Sequence, residues 1–557
     1  KLLLFVLLGL LAVSFASSPE LFLETLATNR EEFREITVPL LENLLGEEKV
    51  LAMDSYIQKS YALSNSTGYM VPMSDGVELY TVVNFPIGYD GEPLPVVFDR
   101  TPYDASAYQY IIGSLFHHKG YIAVAQDMRG RYKSQGVWSY WRKSPSDGYD
   151  SINWITQQPW SNGEVMAFGI SADGIAATCE EGHMPPPEGL KAQSLWVATG
   201  DGYSSTYYNG AYREALISGW LEGLGEGWYI DTILDHEAYG PWWYPIDLTT
   251  RWNNTNVPAV HVGGWYDIFS QGTVQAYFGY QYLGGDGARG NQYLVMNALG
   301  HCGGGEYRFP GTRNLWMLEV TYNMFEQAQL LTPYNPQSYY ICIYVMGPNP
   351  RKMSDSDSGN FWACMNEFPE PTYSNYYFHP DGYLRDYIVD SPDSSESSFI
   401  YDPTYPVPTI GGNNLNLPTC GPYDQTELET RADVLSFTTD ALSDTVAITG
   451  NVTVTLYVSS NCTDTDFTAK LTDVYDDKSY NIIDNVIRMR WRDSYTTVNL
   501  MNPGEIYEVT FDLGPTSYIF NVGHYIRIDI SSSNYPRFTA NLNNGNTIVE
   551  GGDPIVA

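Results

Sequence analysis

Between about residues 69 and 330, short β-rich apolar runs alternate with longer stretches in which apolar positions recur every three or four residues. That alternation predicts an α/β sheet covered by helices. The predicted strands are Val96–Phe98, Tyr121–Gln126, Val165–Gly169, Leu195–Ala198, Ala259–Gly263 and Tyr293–Asn297. Several end in Gly, Asp or Ser, which marks turns at their carboxyl ends, where open α/β sheets bind ligands. From about Asp201 to Trp252 the strand pattern lapses into a segment dense in Trp, Tyr and Gly, read as a cap inserted over a pocket. Trp220, Trp228 and Trp242 are its candidate lining residues, although such aromatic stretches are more often plain packing. After about Gln337 the helical period disappears. Tyr339–Val345, Val446–Val458, Glu508–Leu513 and Tyr525–Ser532 then run β-rich between Pro, Gly, Asn and Asp clusters, which predicts an all-β sandwich over 336–557.

The amino-terminal pattern differs from both. Lys1 precedes an unbroken apolar run from Leu2 to Val13 and then Ser14-Phe15-Ala16, which predicts a signal peptide over 1–16. The run falls short of the ~20 apolar residues that span a bilayer. The expectation is a secreted protein with no membrane attachment after cleavage. Residues 17–55 are helix-like, with Leu21, Leu26, Phe33, Leu40 and Leu44 among the periodic apolar positions. The α/β domain is then placed at 56–335. Sequons at Asn65, Asn253, Asn451 and Asn461 fit a secretory route. Six cysteines could form three disulfides, and none shows the spacing of a zinc or redox site. A formal charge of -36 would repel phosphate backbones, so nucleic acid is not an expected partner.

Candidate chemistry centres on Gly169-Ile170-Ser171-Ala172-Asp173-Gly174, where a Ser follows a buried strand and precedes a small-residue helix. Such a turn can expose a nucleophilic hydroxyl at the top of a sheet, although its second Gly stands one residue later than in the common pattern. The hydroxyl needs a base, and the base needs a carboxylate to hold its tautomer. Among eight histidines only His301 follows both a suitable acid and an α/β-type strand, in the glycine loop Leu299–Gly305. Asp267, just past Val262–Tyr266, is preferred as the acid over Asp231, Asp235, Asp247 and Asp286, which fall in the cap or a surface turn. The backbone N–H of Ala172 and the phenol of Tyr103, in Arg100–Asp104, are the candidate oxyanion donors. The set implies acyl transfer on a small-molecule ester, amide or short peptide, with no cofactor and no metal.

With these residues the chain resembles the cocaine-esterase and X-Pro dipeptidyl-peptidase superfamily of α/β-hydrolases, over about residues 69–557. The resemblance runs through Met73–Val77, Arg100–Asp104, Gln126–Gly130 with Ser134 and Gly136, Trp154-Ile155, the Ser171 turn, Gly263–Asp267, Gly300-His301 and Asp464–Leu471. It implies an α/β-hydrolase domain with an inserted helical cap, about 201–252, followed by a jelly-roll sandwich. It also implies triad roles for Ser171, Asp267 and His301, and an oxyanion hole of Tyr103 and Ala172. Family members usually carry Tyr where this chain has Ala172. Relatives that act on α-amino esters carry two acids where this chain has Phe269 and Ser270, and Asp201 alone does not rebuild that cluster. Such proteins normally continue into further strands beyond Gly551–Ala557, so the chain is expected to be a fragment. The sequence favours an esterase. An X-Pro dipeptidyl peptidase is the alternative within the family, and an inactive secreted carbohydrate-binding protein the alternative outside it.

Overall fold

A computed structural model describes residues 65–312, 316–330, 340–368, 370–388 and 396–557. The expected signal peptide and the helical segment at 17–55 lie outside the described residues. Ten strands build the main sheet: β1 (Asn65–Pro72), β2 (Glu78–Phe85), β3 (Leu94–Thr101), β4 (Ile122–Asp127), β5 (Ser161–Ile170) and β6 (Leu190–Trp196), then, after a two-residue hairpin of β7 (Tyr207–Tyr208) and β8 (Ala211–Tyr212), β9 (Ala259–Tyr266), β10 (Gln292–Gly300), β11 (Ile341–Val345) and β12 (Phe361–Met365). Their order is β1-β2-β4-β3-β5-β6-β9-β10-β11-β12, parallel from β4 to β11 and antiparallel at both margins.

Burial on both faces explains the continuous apolar runs of the inner strands, as parallel sheets with two helical layers require. Val96, Val97, Ile122, Ala123, Val124 and Ala125 are all fully buried. Three of the crossovers are α1 (Ala105–Phe116), α2 (Ser144–Thr156) and α3 (Ala172–Glu180), each returning the chain to a parallel strand. Strand β6 begins five residues before its predicted start, because its polar positions are buried in hydrogen bonds rather than exposed. Gln193 donates to the Ala177 carbonyl at 2.7 Å, and Ser194 pairs with the Thr321 hydroxyl at 2.8 Å.

One boundary is corrected. Tyr339–Val345 was grouped with the β-rich region over 336–557, yet Ile341–Val345 lies parallel to β10, with Leu294 opposite Ile341. Phe361–Met365 adds the last strand, tied to it by the Cys342–Cys364 disulfide between directly opposed residues. A period of two identifies a strand but not the sheet it joins. The remaining β-rich part holds a four-stranded antiparallel sheet of Leu435–Thr438, Tyr525–Ser531, Asp466–Tyr475 and Lys478–Arg488, and a long pair of Val446–Val458 with Tyr507–Phe520. Phe467, Leu471, Ile483 and Ile528 share one core with Trp265, Tyr266, Leu294 and Ile341 of the main sheet. The β-rich part is therefore packed against the strands that lead to Asp267 and His301.

Candidate active site

Topology selects the place. The chain leaves β3 for β4 on one side and leaves β5 for β6 on the other, so a crevice opens between the carboxyl ends of β3 and β5. Tyr103 lies just beyond β3, and Ser171 directly follows β5. Asp267 and His301 directly follow β9 and β10. The structure thus brings Tyr103, Ser171, Asp267 and His301 together on the same rim.

Ser171 sits at the turn from β5 into α3 with φ 60 and ψ -121, a conformation that L residues rarely adopt. Two glycines permit it. A Cβ on Gly169 would lie 2.4 Å from the Asp173 carbonyl, and one on Gly174 would lie 2.8 Å from the Ala198 Cβ. The delayed second glycine is therefore the one that faces the neighbouring strand, and Asp173 is accommodated before it. The Ser171 N–H donates to the Trp196 carbonyl at 2.9 Å, which fixes the turn to β6.

A hydrogen-bonded line leads away from this hydroxyl. Ser171 Oγ is 2.9 Å from His301 Nε2, and His301 Nδ1 is 2.7 Å from Asp267 Oδ2. Asp267 is buried, and its other carboxylate oxygen accepts the Phe269 N–H at 2.8 Å. A carboxylate on Nδ1 keeps the proton there and leaves Nε2 as the acceptor for the serine. The Phe269 ring meets the His301 ring edge-on at 5.9 Å, which shields the pair from water on that side. The loop's far side is held by Asn413, which donates to the Asp267 carbonyl at 3.0 Å and the Trp265 carbonyl at 2.8 Å. Cys302, next to His301, is disulfide-bonded to Cys420. Cys179 and Cys462 are buried thiols, so two of the three disulfides that six cysteines would allow are formed.

On the opposite side stand the two candidate donors. Ala172 is the first residue of α3, where no preceding helical carbonyl can accept its N–H. Burial pushes the Tyr103 phenol well above its ordinary pKa, aided by the nearby Asp173, so it stays a neutral donor. Arg131 steadies its loop by donating to the Pro102 carbonyl at 3.1 Å. Trp220 Nε1 donates to Tyr103 Oη at 2.9 Å, and Trp141 Nε1 donates to the Ala172 carbonyl at 2.9 Å.

The cavity above these groups is lined mainly by apolar side chains, among them Leu216, Ile217, Trp220, Ile246, Phe269 and Leu415. Of the aromatic candidates, Trp220 lines it, whereas Trp228 is exposed and Trp242 packs behind Tyr140 and against Arg142 without lining it. Asp99 and Asp173 also reach the cavity, and burial drives both well above the usual carboxylate range, toward the neutral acid. Asp201 closes a turn by accepting the Ser204 N–H at 2.9 Å and does not line the cavity. Sequence reasoning gave Trp141 and Asn413 no role. Neither has a spacing signature, because their partners are backbone carbonyls of distant segments.

Comparison with known proteins agrees with this layout. The family model for X-Pro dipeptidyl-peptidase (S15 family) matches residues 75–226 and 220–303, and that for the X-Pro dipeptidyl-peptidase C-terminal non-catalytic domain matches 346–555. Cocaine esterase of Rhodococcus sp. (strain MB1 Bresler) is 29% identical over 551 residues, covering 87% of this chain and 93% of that protein. Among solved structures, an aminopeptidase from a marine sediment Thaumarchaeota archaeon superposes with TM-score 0.75 at 21% identity, over 88% of this chain and 92% of that one. An α-amino acid ester hydrolase gives TM-score 0.74 at 22% identity, over 88% and 93%. Those two likenesses bear on the fold, which is α/β-hydrolase-like with a C-terminal β-rich domain. Taken with the two family models, the chain belongs to the superfamily of α/β-hydrolases that holds cocaine esterase and the X-Pro dipeptidyl-peptidases, a family of serine hydrolases.

Proposed function

We propose that this protein is a secreted esterase that hydrolyses small acyl esters through an acyl-enzyme on Ser171. The observation that carries the reading is the line Ser171–His301–Asp267, at 2.9 and 2.7 Å, beside an apolar cavity. His301 takes the Ser171 proton as the oxygen attacks the carbonyl carbon, and Asp267 stabilises the imidazolium. The carbonyl oxygen, now an oxyanion, accepts from the Ala172 N–H and the Tyr103 hydroxyl. His301 then protonates the leaving oxygen, and a water activated by the same imidazole releases the acid. Residues 201–252 serve as the cap: α4 (Glu214–Gly223) supplies Leu216, Ile217 and Trp220 to the cavity wall. The C-terminal antiparallel sheets are read as a jelly roll that supports the acid and His loops.

An ester is favoured over an X-Pro peptide because a dipeptidyl peptidase needs an ionised anchor for the substrate's amino terminus. Here Phe269 occupies the rim beside the acid, and Asp99 and Asp173, the carboxyls that reach the cavity besides the triad acid, lean to the neutral form. Export is supported by the two disulfides and by four sequon asparagines that are all exposed. The inactive carbohydrate-binding reading is disfavoured by the close alignment of serine, imidazole and carboxylate.

The test is reaction with a fluorophosphonate probe, comparing wild type with Ser171→Ala, alongside turnover of 4-nitrophenyl acetate and Gly-Pro anilide. Labelling confined to wild type with ester turnover is the expected result. Anilide cleavage outpacing ester cleavage would move the assignment to the peptidase, and a folded wild type that does neither would restore the binding-protein reading.

A further inference from the structure

The two candidate oxyanion donors stand on different segments, Tyr103 after β3 and Ala172 at the head of α3. Stabilisation of an oxyanion depends on both being aimed before the reaction begins, since reorientation during the reaction would consume the gain. Two tryptophans, one bonded to each segment, meet beside them. Trp141 and Trp220 stack face to face, with ring centroids 4.9 Å apart and planes 5° from parallel. Each directs its indole N–H at one of the two segments, at 2.9 Å in both cases.

A phenol oxygen keeps its proton near the ring plane, so the hydroxyl has two favourable directions, and each leaves one good in-plane acceptor position. An indole N–H is a donor only. When Trp220 fills one position, the Tyr103 proton is forced to the other. Tyr103 is also kept from rotating by stacking on Tyr108, with centroids 5.9 Å apart. At Ala172 the Trp141 N–H grips the carbonyl one bond beyond the Cα and so fixes the pitch of the first turn of α3, which carries the Ala172 amide.

We propose that the stacked pair Trp141 and Trp220 positions the oxyanion hole, with Trp220 orienting the Tyr103 hydroxyl as a donor and Trp141 holding the Ala172 turn. Both are positioning residues, acting through groups that touch the substrate. The proposal rests on the esterase reading above and assigns the cap a part in the chemistry, because Trp220 belongs to α4 and its N–H reaches Tyr103 only when α4 lies over the site.

The experiment measures kcat and KM for 4-nitrophenyl acetate, and the affinity of an aryl trifluoromethyl ketone, in Trp220→Phe, Tyr103→Phe, Trp141→Phe and the doubles with Tyr103→Phe. Trp220→Phe should lower kcat about tenfold, the worth of one net hydrogen bond, with KM within about twofold and the ketone weakened in step. In the Tyr103→Phe background the same change should cost less than about twofold, since its target is gone. Trp141→Phe should keep its full cost there, because it acts on the other donor. Replacing Trp220 by benzothienylalanine, which retains ring and stack without the N–H, should match Trp220→Phe and guards against a packing defect. An equal loss from Trp220→Phe in both backgrounds, or a change in KM alone, overturns the proposal. Turnover surviving in Ser171→Ala would instead overturn the esterase reading.

Discussion

Asn413, from the β-rich part of the chain, donates its side-chain amide to the backbone carbonyl of Asp267, 146 positions earlier, at 3.0 Å. The same amide also reaches the Trp265 carbonyl and the Ser270 hydroxyl. The acid loop is therefore fixed from outside its own domain. Asn413→Ala should lower kcat/KM about 10- to 100-fold by letting the carboxylate drift from His301. Steady-state kinetics beside a thermal melt checks this, and a melting shift without a kinetic one would confine Asn413 to stability.

His301 is bounded on its other side by the Cys302–Cys420 disulfide, which closes a loop of 118 residues. The double variant Cys302→Ser, Cys420→Ser should lose about 2–5 kcal/mol of stability. It should also lose turnover, because the residue next to the base is freed. Chemical denaturation and ester hydrolysis of the purified variant measure both. Wild-type values for each would show that the glycine loop is held without the bond.

Glu181, at the end of α3, is fully buried, and burial pushes its carboxyl from 4.5 to about 8. The adjacent Glu180 is raised to about 8 for the same reason. A carboxyl raised in the folded state favours folding below the unfolded value and withdraws that contribution as pH climbs through the folded value. Thermal stability should therefore fall between pH 5 and pH 8. Glu181→Gln should be more stable than wild type at the alkaline end and show a shallower slope. Melting curves across that range decide it, and an unchanged slope would mean that Glu181 is not titrating in the fold.

Gly174→Ala tests the turn beneath the nucleophile. The new methyl would meet the Ala198 Cβ at 2.8 Å and the backbone carbonyls of Gly169 and Trp196 at 3.0 and 3.1 Å. A cost of about 1–3 kcal/mol is expected, with a loss of fluorophosphonate labelling rate as Ser171 shifts. An alanine variant with wild-type melting and labelling would show that the turn has slack.

The inner strands were legible because burial on both faces leaves runs such as Val96–Phe98 and Val165–Gly169 without polar interruption. Ser171, Asp267 and His301 were legible because each directly follows a strand, where sheet topology gathers side chains at one rim. The allegiance of Ile341–Val345 was not, since alternation carries no information about the partner strand. Trp141 and Asn413 were hidden, and Trp220 was legible only as a lining residue, for a related reason. Their significance lies in where the indole and amide N–H groups point, and no spacing along the chain encodes that.

The bracing of Asp267 and His301 by Asn413 and Cys420 sets an order of events during synthesis. Ribosomes deliver Ser171, Asp267 and His301 well before the residues that lock two of them in place. A nascent chain that stops short of Asn413 would carry every reactive group and lack the amide and the disulfide that brace two of them. Full competence would therefore wait for the β-rich part to dock, because Asn413 is made 146 residues after Asp267 and Cys420 118 residues after Cys302.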